Sequence, residues 1–218
     1  MAEGPLQRDP PIPIPVREDA APVFIELAEY LKCPADHEDA FLVLATGAMK
    51  GRAIRYGTLG CPVCHAEYMV VQQAVRFGPR PDVGAPVALL PPPNAIQALI
   101  GLESAGGYVA LVGSAARLAH DLAGLMRGVH FICVNPPPGV EPSVTRSLVE
   151  ATATIPVRGS VARGVVLGEE YASPAWLAES GRVLLRGQRV VACKEGMMPP
   201  VGVAALASGQ GMWVGRKE

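Results

Sequence analysis

Residues 94–218 predict an α/β domain with a mostly parallel sheet covered by helices on both faces, and residues 23–77 a smaller β-rich module ahead of it. Three observations lead there. Beyond residue 94, short apolar runs alternate with helical stretches whose leucines recur at three- and four-residue spacing. Between residues 41 and 77, short β-rich pieces (FLVLAT, RAIRYG, EYMVVQQAVRF) are separated by glycine turns, as in an antiparallel meander. Between these two regions lies GPRPDVGAPVALLPPP, residues 78–93, whose prolines exclude helix and mark a linker.

Element by element, residues 1–22 hold six prolines and predict an extended arm. Phe24, Leu27 and Leu31 predict a short amphipathic helix ending at Cys33-Pro34. Asn94 is a candidate cap for a helix running to about Glu103, broken by Gly106-Gly107. Residues 108–112 read as a buried strand, and Ser114 as the cap of a helix carrying Leu118, Leu122 and Leu125 and closed by Gly128. Strands follow at 129–134, 164–167 and 189–193, with Ser173-Pro174 starting a helix in between, proline at its first position. The tail reads as two strands around Ser208-Gly209.

Composition narrows the functional classes. The 218 residues are 50% hydrophobic and 18% charged, so a substantial core is expected. Lys+Arg 19 against Asp+Glu 20 gives a net charge of −1, without the broad positive field of a nucleic-acid-binding protein. No apolar run approaches the roughly 20 residues of a membrane span, and the N-terminus does not read as a signal peptide. A cytoplasmic location is the expectation.

The five cysteines are not spaced as a disulfide framework. Cys133 and Cys193 sit alone in apolar runs, where cysteine behaves as a small hydrophobe. Cys33-x₃-His37 and Cys61-x₂-Cys64 instead form two half-sites on either side of the meander. The two-residue spacer lets both thiolates of a knuckle face one ion, and the other pair supplies two more corners of a tetrahedron. Cys33, His37, Cys61 and Cys64 are therefore candidate ligands of a structural zinc, with Asp36 and His65 open as alternatives to His37.

At TLGCPVCHAEYMV the chain resembles the zinc ribbon of Trm112-like proteins, with His37 standing where that family has a second cysteine. IPVRGSVARGVVL and SPAWLAESGRVLLRGQRVVA resemble a class I, S-adenosylmethionine-dependent methyltransferase domain, and the last two strands match that family's closing hairpin. The resemblance implies a Rossmann-like methyltransferase-type sheet. It also implies a cofactor cleft at the loop LVGSAARLA, where Gly113 matches but Ala115 and Arg117 replace the next two glycines. Asn135 stands where the family has a ribose-binding acid, and the uncharged Thr152 falls near its adenine-facing acid. The cleft therefore reads as degenerate, with S-adenosylmethionine not expected and Arg117 a candidate plug. Cofactor-binding roles for Gly113 and Asn135 belong to the alternative alone.

Other catalytic signals are sparse. His120 and His130 read as packed or half-exposed histidines, Asp121, Glu169 and Glu170 as solvated carboxylates, and Met197-Met198-Pro199-Pro200 as a loop. No catalytic residue is assigned. The expectation is a pseudoenzyme, an accessory or scaffolding subunit of a larger protein complex, possible at the cytoplasmic face of a membrane-bound assembly. The alternative is an active methyltransferase acting on a small or quinone-like molecule.

Overall fold

The computed structural model describes residues 23–50, 53–71, 74–86 and 89–218; the expected Pro-rich arm, residues 1–22, lies outside them. Along β6 (Tyr108–Val112), β7 (His130–Val134), β9 (Ala162–Leu167) and the last three residues of β10 (Leu184–Ala192), consecutive side chains are buried on opposite sides. Val109, Leu111, Phe131, Cys133, Val166 and Val191 pack on one side, with Ile96, Ile100 and Leu122. Ala110, Val112, Ile132, Val134, Val165, Leu167 and Val190 pack on the other, with Trp176, Leu177 and Leu27. A strand buried on both faces reads as a continuous apolar run, which is why these strands stand out in the sequence. Burying each Leu- or Val-sized side chain stabilises by about 1.5–3 kcal/mol.

Helices α2 (Pro93–Ile100) and α3 (Ala119–Leu125) cover the first face. The other face is covered by α4 (Pro174–Val183) and α1 (Ile25–Ala28). The Ser173 hydroxyl caps α4 by accepting from the Trp176 N–H, with Pro174 in the first turn as expected. At α2 the cap is Pro92, with no side-chain hydrogen bond, and Pro93 occupies the first turn, so Asn94 is not the cap. Gly101, at φ 63°, ends α2 in the left-handed conformation that glycine adopts without strain.

The sheet runs β8-β7-β6-β9-β10-β12-β11, with β8 spanning Arg146–Glu150, β11 Val203–Gly209 and β12 Met212–Lys217. The first five strands are parallel in the dinucleotide-fold order 3-2-1-4-5, and β12 runs antiparallel to both β10 and β11. This is the Rossmann-like, methyltransferase-type sheet with its closing hairpin. The hairpin turns at Gln210 and Gly211, both at positive φ, two residues beyond the expected Ser208-Gly209. β8 carries no clear strand signal in the sequence, because RSLVE buries a serine on its core side; the Ser147 hydroxyl is satisfied by His130 Nε2 at 2.9 Å.

The meander is β2 (Val43–Lys50), β3 (Ala53–Gly60), β4 (Glu67–Val71) and β5 (Ala74–Arg76), antiparallel throughout, with β1 (Val23–Phe24) also on β3. It does not stand apart: β5 pairs parallel with β8, joining both regions into one sheet. Leu31 bridges to Val157, and the Arg158 N–H donates to the Tyr30 carbonyl at 2.8 Å. Ile54, Leu59 and Val70 share one core with the face carrying Val134 and Leu167.

Candidate functional site

Two places in this framework gather polar or sulfur chemistry. In the first, the turn at Cys61-Pro62-Val63-Cys64 closes with the Cys61 N–H donating to the Ala66 carbonyl at 2.9 Å, and His65 takes a left-handed φ of 59°. The loop after Leu31 brings Cys33 and His37 to the same point. Ligand atoms of Cys33, His37, Cys61 and Cys64 all lie within 4.8 Å of one another. Cys33 and Cys64 sulfurs are 3.6 Å apart, and Cys61 Sγ is 3.3 Å from His37 Nε2. Thiolates about 2.3 Å from one tetrahedral ion would stand slightly under 4 Å apart, so these separations suit a single zinc.

The surroundings agree with that chemistry. His37 Nδ1 lies 2.6 Å from the Glu38 carbonyl, a partner that takes the ring proton there and leaves Nε2 as the free lone pair. This backbone bond, first among the causes, raises the His37 pKa. Burial alone would raise the Cys61 thiol. N–H groups of Cys64 and Val63 and the neighbouring thiols outweigh it and bring the pKa down to about 7. The Tyr68 hydroxyl lies 2.9 Å from Cys33 Sγ. Asp36 and His65 stand outside the group.

The second place is the carboxyl end of the parallel strands. Gly113 follows β6 at φ 64°, and a Cβ there would fall on the Glu170 carboxylate and the Tyr171 ring. Glu170 reaches back across the loop. Its Oε1 accepts from the Ser114 N–H at 2.5 Å and its Oε2 from the Ser114 hydroxyl at 2.8 Å. Ser114 is therefore not a helix cap, as the sequence suggests; it is the anchor for Glu170. Glu170 is accordingly not a free surface carboxylate, and Arg117 is exposed rather than the plug. Sequence reasoning missed the role of Glu170 and Tyr171, since nothing in GEEYASP marks a contact with a loop more than fifty residues earlier.

At the tip of β7, Asn135 is buried in left-handed conformation, φ 49°. Its Nδ2 donates to the Ala151 carbonyl at 2.8 Å and its Oδ1 accepts from the Ala151 N–H at 2.9 Å. The amide thus extends the β7–β8 pairing by one rung. Burial raises the Tyr171 phenol pKa, while its hydrogen bond with Asn135 opposes that rise. Tyr171 therefore reaches from Gly113, just past β6, towards Asn135, just past β7. Segment 77–82 lies over the neighbouring tips: Arg80 donates to the Pro136 carbonyl at 2.6 Å and to Glu150 at 3.0 Å, and the Thr152 hydroxyl to the Pro79 carbonyl at 2.8 Å.

The remaining candidates are structural. His130 contacts Ser147, and burial lowers its pKa to about 4. Cys133 and Cys193 are buried, and burial pushes both thiols up to about 12. His120 is exposed, and the segment at Met197–Pro200 forms a loop with Met198 outward.

No family model and no curated protein matches the sequence. Among solved structures, the chain is similar to a methyltransferase of an antibiotic biosynthesis pathway from Anabaena variabilis (20% identity over 46% of this chain and 43% of that one, TM-score 0.39). It is also similar to an S-adenosyl-L-methionine methyl transferase from Silicibacter pomeroyi (17%, 58% and 88%, 0.43). A third is a complex from Haloferax volcanii between the Trm112 methyltransferase activator and a methyltransferase (16%, 46% and 50%, 0.36). The chain spans less than half the length of the Anabaena protein.

Proposed function

We propose that this chain is a non-catalytic methyltransferase-like protein, an accessory, scaffolding or assembly subunit of a larger protein complex. The observation that carries this reading is the filling of the strand tips by the chain's own side chains. In the dinucleotide fold, a ligand approaches the loop after the first strand, where glycine lets the backbone come close. Here Glu170 already takes the Ser114 N–H and hydroxyl, and Tyr171 lies against Gly113. Asn135, where an acid would accept the ribose hydroxyls, spends its amide on Ala151. These residues do not fit S-adenosylmethionine at that position, so no methyl-transfer step is derived.

In the same reading, Cys33, His37, Cys61 and Cys64 hold one zinc ion. Four protein ligands leave no open position, so the ion is structural and braces the ribbon as a docking element. The Pro-rich arm, residues 1–22, supplies a second one, since an extended segment can lie along a partner with little folding of its own. Among the described residues no helix is long and apolar enough to cross a membrane. Membership of a membrane-bound assembly would therefore come through such contacts.

The test is a titration of the full chain with S-adenosylmethionine, followed by melting temperature. A ligand at about 100 times its Kd stabilises by roughly 2.7 kcal/mol. No shift is expected for the native chain; a clear shift would overturn the reading in favour of an active methyltransferase on a small or quinone-like substrate. Native chain migrating in its own cell extract only as a lone 22.8 kDa species would remove the subunit role.

A further inference from the structure

The amino end of the sheet, opposite the filled tips, holds a cavity of about 390 Å³. It is lined by three arginines from three successive strands of the sheet: Arg163 of β9, Arg189 of β10 and Arg216 of β12. The register brings them together, since Arg189 pairs with Arg216 on one side and with Gly164, next to Arg163, on the other. Glu103 and Ser104, following α2, complete the rim.

Two of the guanidinium groups are held in place by neutral partners. Arg163 Nη1 donates to the Ala105 and Gly106 carbonyls at 3.0 and 2.6 Å, and its Nη2 to the Ser104 hydroxyl at 2.7 Å. Arg189 Nη1 donates to the Leu99 carbonyl at 3.2 Å. Both side chains lie against glycines. A Cβ at Gly101 would come within 2.8 Å of Arg189 Nη1, and one at Gly107 within 3.2 Å of Arg163 Cγ; both glycines have positive φ. Among the described residues, no ion pair joins Arg163, Arg189 or Arg216 to a carboxylate. Capping the end of α2 uses one N–H of Arg189, and among the described residues no side-chain hydrogen bond engages the fork of Arg216.

We infer that this cavity binds a small anion bearing phosphate groups. Carbonyl oxygens orient a guanidinium without cancelling its charge. Three positive groups therefore line one space, with the exposed Glu103 as the sole acid among the described residues lining it. The planar fork of arginine matches phosphate oxygens in pairs, which gives this residue its advantage over lysine. The lining is polar apart from Ile100, which suits the charged part of a ligand. The volume falls within the roughly 300–1,000 Å³ of small-molecule sites and leaves room for more than one phosphate.

The experiment is calorimetric titration of the full chain with pyrophosphate at near-physiological salt. Saturable one-to-one binding is expected for the native chain. Arg216→Gln should weaken it about tenfold or more while leaving the melting temperature without ligand unchanged, and Arg216→Lys should recover only part, because lysine lacks the fork. Absence of saturable binding up to about 10 mM, beyond even a weak site near −4 kcal/mol, would overturn the inference. So would equal affinity in R216Q, or citrate binding as tightly as pyrophosphate.

Discussion

His130 shows how a single half-buried base ties stability to pH. Its pKa falls from 6.5 to about 4, chiefly because burial penalises the imidazolium, while a backbone bond to Val144 partly opposes the fall. In the unfolded chain the ring takes its proton near 6.5, so between 6.5 and 4 the unfolded state binds more protons than the folded one. Stability from this residue is complete above about 6.5 and is lost as pH falls towards 4, by about 3 kcal/mol in all. Denaturant titrations at several pH values should show this slope, and His130→Gln should flatten it. An unchanged slope would mean that protonation disturbs other groups instead. Sequence alone reads His130 as a packed or half-exposed histidine, and its partner Ser147 and the direction of the shift come from the placement of β8 beside β7.

Among the elements, the β7–β8 pair depends on one side chain. Asn135 stands at a left-handed backbone position, where asparagine is tolerated better than most residues, and its amide replaces a backbone rung to Ala151. Asn135→Ala removes both hydrogen bonds and leaves the Ala151 N–H and carbonyl buried without partners. It should cost about 2–4 kcal/mol and lower the melting temperature by several degrees. Calorimetry would check this, and a change within about 0.5 kcal/mol would place Asn135 among neutral surface positions. The parallel strands were legible because both of their faces are apolar. β8 was not, because its pattern alternates and includes a buried serine, and the Gly113–Leu118 turn places Ser114 against Glu170, a contact outside its own segment.

For the whole molecule, the β-rich meander and the α/β sheet share one continuous sheet and core. Residues 33–77 alone suggest a module with little core, one that metal removal would unfold by itself. The β5–β8 pairing and the continuous packing from Leu59 to Val134 couple the two regions instead. Structural zinc is worth roughly 10–16 kcal/mol in isolated fingers, so its loss should propagate. The purified chain should carry about one zinc per molecule, and chelation should lower the melting of the entire chain in one transition. Amide exchange should then rise at Leu148–Glu150 as well as in the meander. A metal-free preparation with unchanged melting would remove zinc from the account.

The residue order by itself determined the α/β class, the β-rich module and the two Cys/His half-sites, because each is written in local periodicity or short spacing. Tertiary structure decided what fills the strand tips and where three arginines converge. Glu170 meets Ser114, and Arg163 nears Arg216, only after distant strands have paired, and no local pattern encodes such a meeting.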